Sequence, residues 1–240
     1  MDIAATTPPE VTVRGAAELF RTAERATVTV TLGFEGPDRE PVLSRTTRGT
    51  AALVAGLHDR HSPEDPAAGP VTWFSSDRLR TWVTRPTDRD GRRLDPVHHA
   101  STLTRARFRD VAALAAWVEG AAGYPGVSID GIAWSLTAPT RTELTRVARA
   151  AAVADAVDKA RAYVEPLGFV DVVCTAIADP GMLLPGTSAG SGGPPPFAGR
   201  AAGAPAGGGG GERRLEFTPP DIGASAAVEA RFVAVAGSAP

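Results

Sequence analysis

Val127–Phe169 reads VSIDGIAWSLTAPTRTELTRVARAAAVADAVDKARAYVEPLGF, and its reading decides the fold. Apolar residues alternate at Val127 and Ile129, then again at Ile132, Trp134 and Leu136, one residue out of step. Alternation marks a strand with one buried face, and a one-residue slip is what a β-bulge inserts. The slip falls at Asp130-Gly131. Beyond it, Thr140 followed by Glu143 has the spacing of a capping box, which predicts a helix from there to about Leu167. Gly168 is placed to close that helix as its left-handed C′ residue. Leu144, Ala148, Ala152, Ala156, Ala160, Tyr163 and Leu167 fall on one broad face. Most of that face is alanine, so the helix can lie close to whatever it covers.

Working outward, the N-terminal side carries more strands. Residues 1–9 read as a loose tail, because Pro8-Pro9 resists regular structure. Val11 to Gly15 is a short strand, and Ala26, Val28, Val30, Leu32 and Phe34 alternate with small or polar residues in a second. Asp38 then caps a helix whose inward positions are Leu43, Thr47, Thr50, Leu53, Val54 and Leu57. Asp59 to Pro70 has loop composition. Val71–Thr84 and Val97–Phe108 read as an antiparallel hairpin around Asp88 to Gly91. Asp110 caps a further helix with Val111, Leu114, Ala115 and Val118 inward, ending at Gly123 or Pro125. On the C-terminal side, Phe169 to Ile177 is a strand and Ala224 to Val235 a closing one, with Val228, Ala230 and Phe232 on one face. Between them, residues 179–212 are dominated by Gly, Pro, Ala and Ser, which bury too little apolar surface to offset ordering entropy. That stretch reads as a disordered loop within a single domain of residues 10–236, and 237–240 as a tail. The order ββα-ββα-βα-ββ does not alternate as a doubly wound fold requires, so the fold class is α+β with largely antiparallel strands.

The strand and alanine helix resemble the SIMPL-domain family. Gly131, Ile132, Trp134 and Leu136 carry the strand half, and Ala152, Asp155, Ala156, Lys159, Ala160, Leu167 and Gly168 the helix half. Val11, Val13, Gly15 and Ala26 to Leu32 resemble the opening of such domains. The resemblance brings no catalytic motif. It implies proteins of the periplasmic, immunogenic 26 kDa and oxidative-stress-defence type, some forming ring- or channel-like oligomers, and one animal member that partners a signalling kinase. Many members resemble exported envelope proteins. Here the N-terminus MDIAATTPPE has neither a basic nor an apolar leader region, so the expectation is a cytoplasmic protein.

Composition narrows the function classes. The chain has 240 residues, 43% of them hydrophobic, and a net charge of −2, which gives no global attraction to nucleic acid or anionic membrane. Lys159 is the only lysine, so the arginine content reads as codon bias and not as phosphate binding. No run approaches the ~18 apolar residues of a membrane span. The single cysteine, Cys174, has Val172, Val173 and Ile177 as neighbours and is expected to be a buried strand thiol.

Several groups of polar residues have spacings that a site would use. His58 and His61, with Asp59 and Asp65 nearby, have helical metal spacing but no third ligand fixed by sequence. His98 and His99 point to opposite faces of a strand, one packed and one wet. Asp77, Asp88, Asp90 and Asp95 alternate with Arg78, Arg80, Arg89 and Arg92, as on a solvated mixed-charge surface. Arg105, Arg107 and Arg109 lie on one strand face with Arg78 and Arg80 across from them, near Trp73, Phe74, Trp82 and Phe108. That pattern can bind single strands, but arginines facing solvent and pairing with Asp/Glu, with the aromatics filling a core, are the stronger reading. Gly207 to Gly211 lacks the G-K-[ST] ending of a phosphate loop. No catalytic, cofactor-binding or metal residue is therefore assigned. The expectation is a non-enzymatic protein that self-assembles as a homo-oligomer or takes a protein partner. A small-molecule pocket between sheet and helices is one alternative, and single-stranded nucleic-acid binding another.

Overall fold

The computed structural model describes residues 8–65, 68–183 and 215–237. In chain order the elements are β1 (Glu10–Thr22), β2 (Arg25–Gly36), α1 (Arg39–His58), β3 (Val71–Ser76), β4 (Arg80–Thr84), β5 (Val97–Phe108), α2 (Val111–Ala122), β6 (Val127–Ser135), α3 (Ala138–Val164), β7 (Phe169–Ala178) and β8 (Asp221–Ala236). Every strand pairing is antiparallel, and the class is α+β. The order holds one strand more than the sequence suggested. Val71–Thr84 breaks after Ser76 into β3 and β4, which both pair with β5. The elements fall into two compact units.

The first unit, residues 23–135 with 215–220, holds a sheet in the order β3-β5-β2-β6, with β4 also on β5. The alternation of β2 buries Ala26, Val28, Val30 and Leu32 against Leu53 and Leu57 of α1 and Leu114, Trp117, Val118 and Ala121 of α2. Both helices thus cover one face. The bulge read at Asp130-Gly131 is present: the β2–β6 register shifts between Thr29 and Val30. The extra residue turns the Asp130 carboxylate to accept from Thr31 Oγ1 at 2.6 Å. Asp110 caps α2 as expected, accepting the N–H groups of Ala112 and Ala113. Val111, however, is only half-buried, and Trp117 and Ala121 complete the inward face. In α1 the first half is rotated from expectation. Val42 and Thr46 are buried, not Leu43 and Thr47. Thr46 can be inward because its hydroxyl donates to the Val42 carbonyl, 2.9 Å away, leaving no unpaired polar atom.

The second unit, residues 8–22, 136–183 and 221–237, holds a three-stranded sheet in the order β1-β8-β7, with α3 packed on β1, β8 and β7. β1 runs to Thr22, well beyond the short strand expected, because β8 supplies thirteen successive partners from Glu10↔Val233 to Thr22↔Asp221. The alanine face is confirmed: Leu144, Ala148, Ala152, Ala156 and Ala160 are buried. Its far end differs. Val164 continues the row at i+4 and is buried, whereas Tyr163 and Leu167 are each 63% exposed. The N-cap is Thr137, not Thr140; the Thr137 hydroxyl accepts from the Thr140 N–H at 3.4 Å, and Pro139 sits in the first turn. Glu143 pairs with Arg146 instead of closing a capping box. The helix tightens into a 3-10 turn, Glu165–Leu167, where Pro166 cannot donate, and Gly168 closes it at φ +87° as the sequence indicated.

Candidate functional site

Five of the residues that carry the family resemblance, Gly15, Ala152, Asp155, Ala156 and Lys159, meet at one place, the crossing of α3 over β1. A Cβ built on Gly15 would lie 2.0 Å from the Ala152 carbonyl oxygen and 2.8 Å from Ala156 Cβ. Only a glycine on the strand and alanines on the helix allow this approach. Asp155 and Lys159 flank the crossing. The Asp155 carboxylate accepts the Ala16 N–H at 2.8 Å and the Lys159 ammonium at 2.7 Å, and Lys159 also donates to the Arg14 carbonyl at 3.1 Å. β1 ends the sheet, and residues two apart on a strand direct their backbone groups to the same side. The pair therefore caps the free edge of β1. The Lys159 hydrogen bond, with the Ala16 N–H second, holds the Asp155 carboxyl below the ordinary carboxylate range. The arrangement clamps strand to helix, and every donor and acceptor just named is spent on that clamp.

Of the residues weighed as sites, several are brought together in small polar groups. His58 and His61 both set their rings edge-on to Phe74, at 4.8 and 5.5 Å, and His61 Nδ1 lies 2.9 Å from the Val71 carbonyl. Among the described residues no three His, Cys, Asp or Glu side chains converge in a metal-like group. His98 and His99 are both half-buried. The His99 ring stacks on Trp82 at 5.0 Å, 3° from parallel, with Nδ1 3.2 Å from Glu35 and Nε2 2.8 Å from the Thr84 hydroxyl. With Arg39, Val42 and Leu43, these strands line a groove of about 220 Å³. That is below the ~300 Å³ at which ligand pockets usually begin.

The acidic cluster disperses. Asp77 faces Arg105 at 3.6 Å, while one oxygen of Asp88 accepts the N–H groups of Asp90 and Arg92 in its own turn. Arg105 and Arg107 do share the uncovered face of β5, but Arg109 lies past the strand end, and Arg80 pairs at Ser101, well along the strand. Arg107 stands 5.6 Å over the Trp73 ring. The aromatics divide: Phe108 is core, but Trp73 and Trp82 are 42% and 47% exposed, because a sheet covered on one face leaves alternate residues outside. The Gly207 to Gly211 run lies outside the described residues.

Cys174 contradicts its expectation. It is exposed, with its thiol donating to the Ala176 carbonyl at 3.4 Å. Apolar neighbours in sequence signal burial only where both faces of a strand are covered. β7 is an edge strand with a bulge between Cys174 and Ala176. The same edge exposes Val170, Val173 and Ile177. Sequence reasoning missed this edge, because nothing local distinguishes an edge strand from a central one. Past β7, Glu229 of β8 accepts the N–H groups of Gly181 and Leu183 and fixes the turn there; residues 184–214 lie outside the described residues.

No helix among the described residues is long and apolar enough to cross a membrane. A search of curated proteins finds no match. The SIMPL family, described as a protein of unknown function (DUF541), matches residues 11–232. That match contains the Gly15 crossing, the Asp155–Lys159 clamp and strands β2 to β7 entire, and by it the chain belongs to the SIMPL family.

Proposed function

We propose that this chain is a non-enzymatic assembly protein that works by joining copies of itself. The observation that carries the reading is the set of large apolar side chains left outside on strands: Phe20, Trp73, Trp82, Val83, Val170, Val173 and Ile177. Three of them, Val170, Val173 and Ile177, share the single edge strand β7, and clustered exposed apolar surface marks interaction sites. The clamp residues Asp155 and Lys159 fit the reading, since they serve the fold and leave the exposed strands to supply contacts. Light scattering behind size exclusion tests it. A defined oligomer across a tenfold dilution is the expected result, and a monomer at every concentration overturns the reading. The stress-defence role implied by the family resemblance predicts that cells lacking the protein survive peroxide less well, which a survival assay reads directly.

A second reading, a small-molecule binder, is favoured by the stacked Trp82–His99 wall beside Arg39. On this reading a ligand screen read by Trp fluorescence gives a hit that Trp82→Ala abolishes.

A further inference from the structure

The three-stranded sheet of β1, β8 and β7 has two ends, and they are not alike. The β1 end is closed. Lys159 and Asp155 occupy the Arg14 carbonyl and the Ala16 N–H, α3 lies directly on Gly15, and Glu10, Arg14, Glu18 and Arg21 place charges along the strand. Natural sheets block their edges by such means. The β7 end is open. Its sequence, FVDVVCTAIA, has no Lys, Arg or Pro, and its one charge, Asp171, is held at 2.9 Å by Arg161. Val170, Val173 and Ile177 are 69%, 56% and 53% exposed, and Tyr163 and Leu167 stand exposed at the end of α3 that leads into this strand. Two bulges, at Phe169/Asp171 and Cys174/Ala176, are the protective devices that β7 does have.

We infer that the β7 edge is an interface for a second copy of this chain, with β7 pairing antiparallel to β7 across a two-fold axis. The inference rests on the assembly reading above and assigns it a surface. A copy is the occupant because the edges dictate it. With β1 closed, head-to-tail growth of β1 on β7 has no acceptor, and pairing β7 with β7 about a two-fold axis closes the assembly. The strand also complements itself. A two-fold axis sets residues of one face opposite each other: with the axis at Val173, Val173 faces the partner's Val173, Val172 faces the partner's Cys174, and Asp171 faces the partner's Thr175. Exposed apolar side chains meet each other and the two carboxylates stay apart, as favourable cross-strand pairs require. Ten residues at about 3.3 Å each give an edge of roughly 33 Å to pair.

The test uses the full-length chain in three forms. Val170→Lys with Ile177→Lys places charge on the open edge at exposed positions. Phe20→Lys does the same on β1, where Phe20 is 51% exposed. Val173→Cys in a Cys174→Ser background reads the register, because pairing about the two-fold axis sets the two thiols directly opposite, within disulfide reach, while a single cysteine cannot bridge within one chain. The expected results are an oligomer for the unaltered chain and a fall in mass at least to half for the β7 lysines, with far-UV circular dichroism unchanged. Phe20→Lys retains the mass, and mild oxidation gives a disulfide-linked dimer on non-reducing gels. An oligomer that survives the β7 lysines and forms no disulfide overturns this interface while leaving the assembly reading intact. A monomeric unaltered chain overturns both.

Discussion

Gly15 is the residue on which the family signature turns. Its missing side chain lets α3 rest on β1, and a methyl group there would collide with the Ala152 carbonyl, a backbone atom that cannot swing aside. Gly15→Ala is expected to cost about 1–3 kcal/mol, the range of overpacking in a tight interior, read as a lower urea midpoint. Asp155 gives the complementary prediction. Its carboxyl is held below the ordinary range by Lys159 and the Ala16 N–H. A depressed folded value means the contribution is fully present above the unfolded carboxylate pKa of about 3.9 and is lost as pH falls through the folded value. Asp155→Asn should therefore lower the denaturation midpoint at pH 7, and the gap to the unaltered protein should close below about pH 4. A gap of equal size at pH 3 and pH 7 would mean that the charge of Asp155 is not what holds the clamp.

At the scale of elements, the helix starts differ in how they are held. Asp38 and Asp110 are alike in sequence, each an acidic residue before a helix. In the structure Asp110 accepts two backbone N–H groups, whereas Asp38 makes no capping hydrogen bond. Asp110→Ala should cost about 1 kcal/mol, and Asp38→Ala should stay within about 0.5 kcal/mol of the unaltered chain; thermal denaturation of the two variants separates these outcomes. The difference was not legible in sequence, because capping depends on a side-chain rotamer that the flanking strand sets. The length of β1 was hidden for a related reason. Ala16, Ala17 and Glu18 have weak strand preference, and only the thirteen-residue ladder with β8 extends the strand to Thr22.

Across the whole molecule, β8 is the keystone of its unit. β1 and β7 each pair with β8 and not with one another. Truncation after Pro220 should leave both strands without a ladder and unfold that unit. The sheet of β2 to β6 has no member beyond residue 135 and keeps its core. Limited proteolysis of the truncated chain should cut within β1 and α3 and spare β2 and β5; protection of α3 would contradict the keystone role. The pairing of Glu10 with Val233 also joins nearly opposite ends of the sequence. Such long loops close late, so refolding of the β1–β8–β7 unit should be the slower step in stopped-flow traces.

What the sequence determined by itself was periodicity and punctuation. Alternation placed β2, β6 and β8, the hairpin reading around Asp88 to Gly91 placed β5, the slip at Asp130-Gly131 placed the bulge, and the alanine row with Gly168 placed α3 and its end. These are local signals, written in residues a few positions apart. Which strands became neighbours, and therefore which became edges, was decided only in three dimensions. Cys174, Trp73 and Trp82 looked like core because their neighbours are apolar; Trp73 and Trp82 are exposed because their sheet is covered on one face, and Cys174 because β7 is an edge strand bulged at that point. Asp155 and Lys159 looked like a motif without a task until Ala16 and Arg14, some 140 residues away in sequence, were brought beneath them. Burial and partnership depend on packing between distant segments, and no local pattern records what will lie across from a residue once the chain has folded.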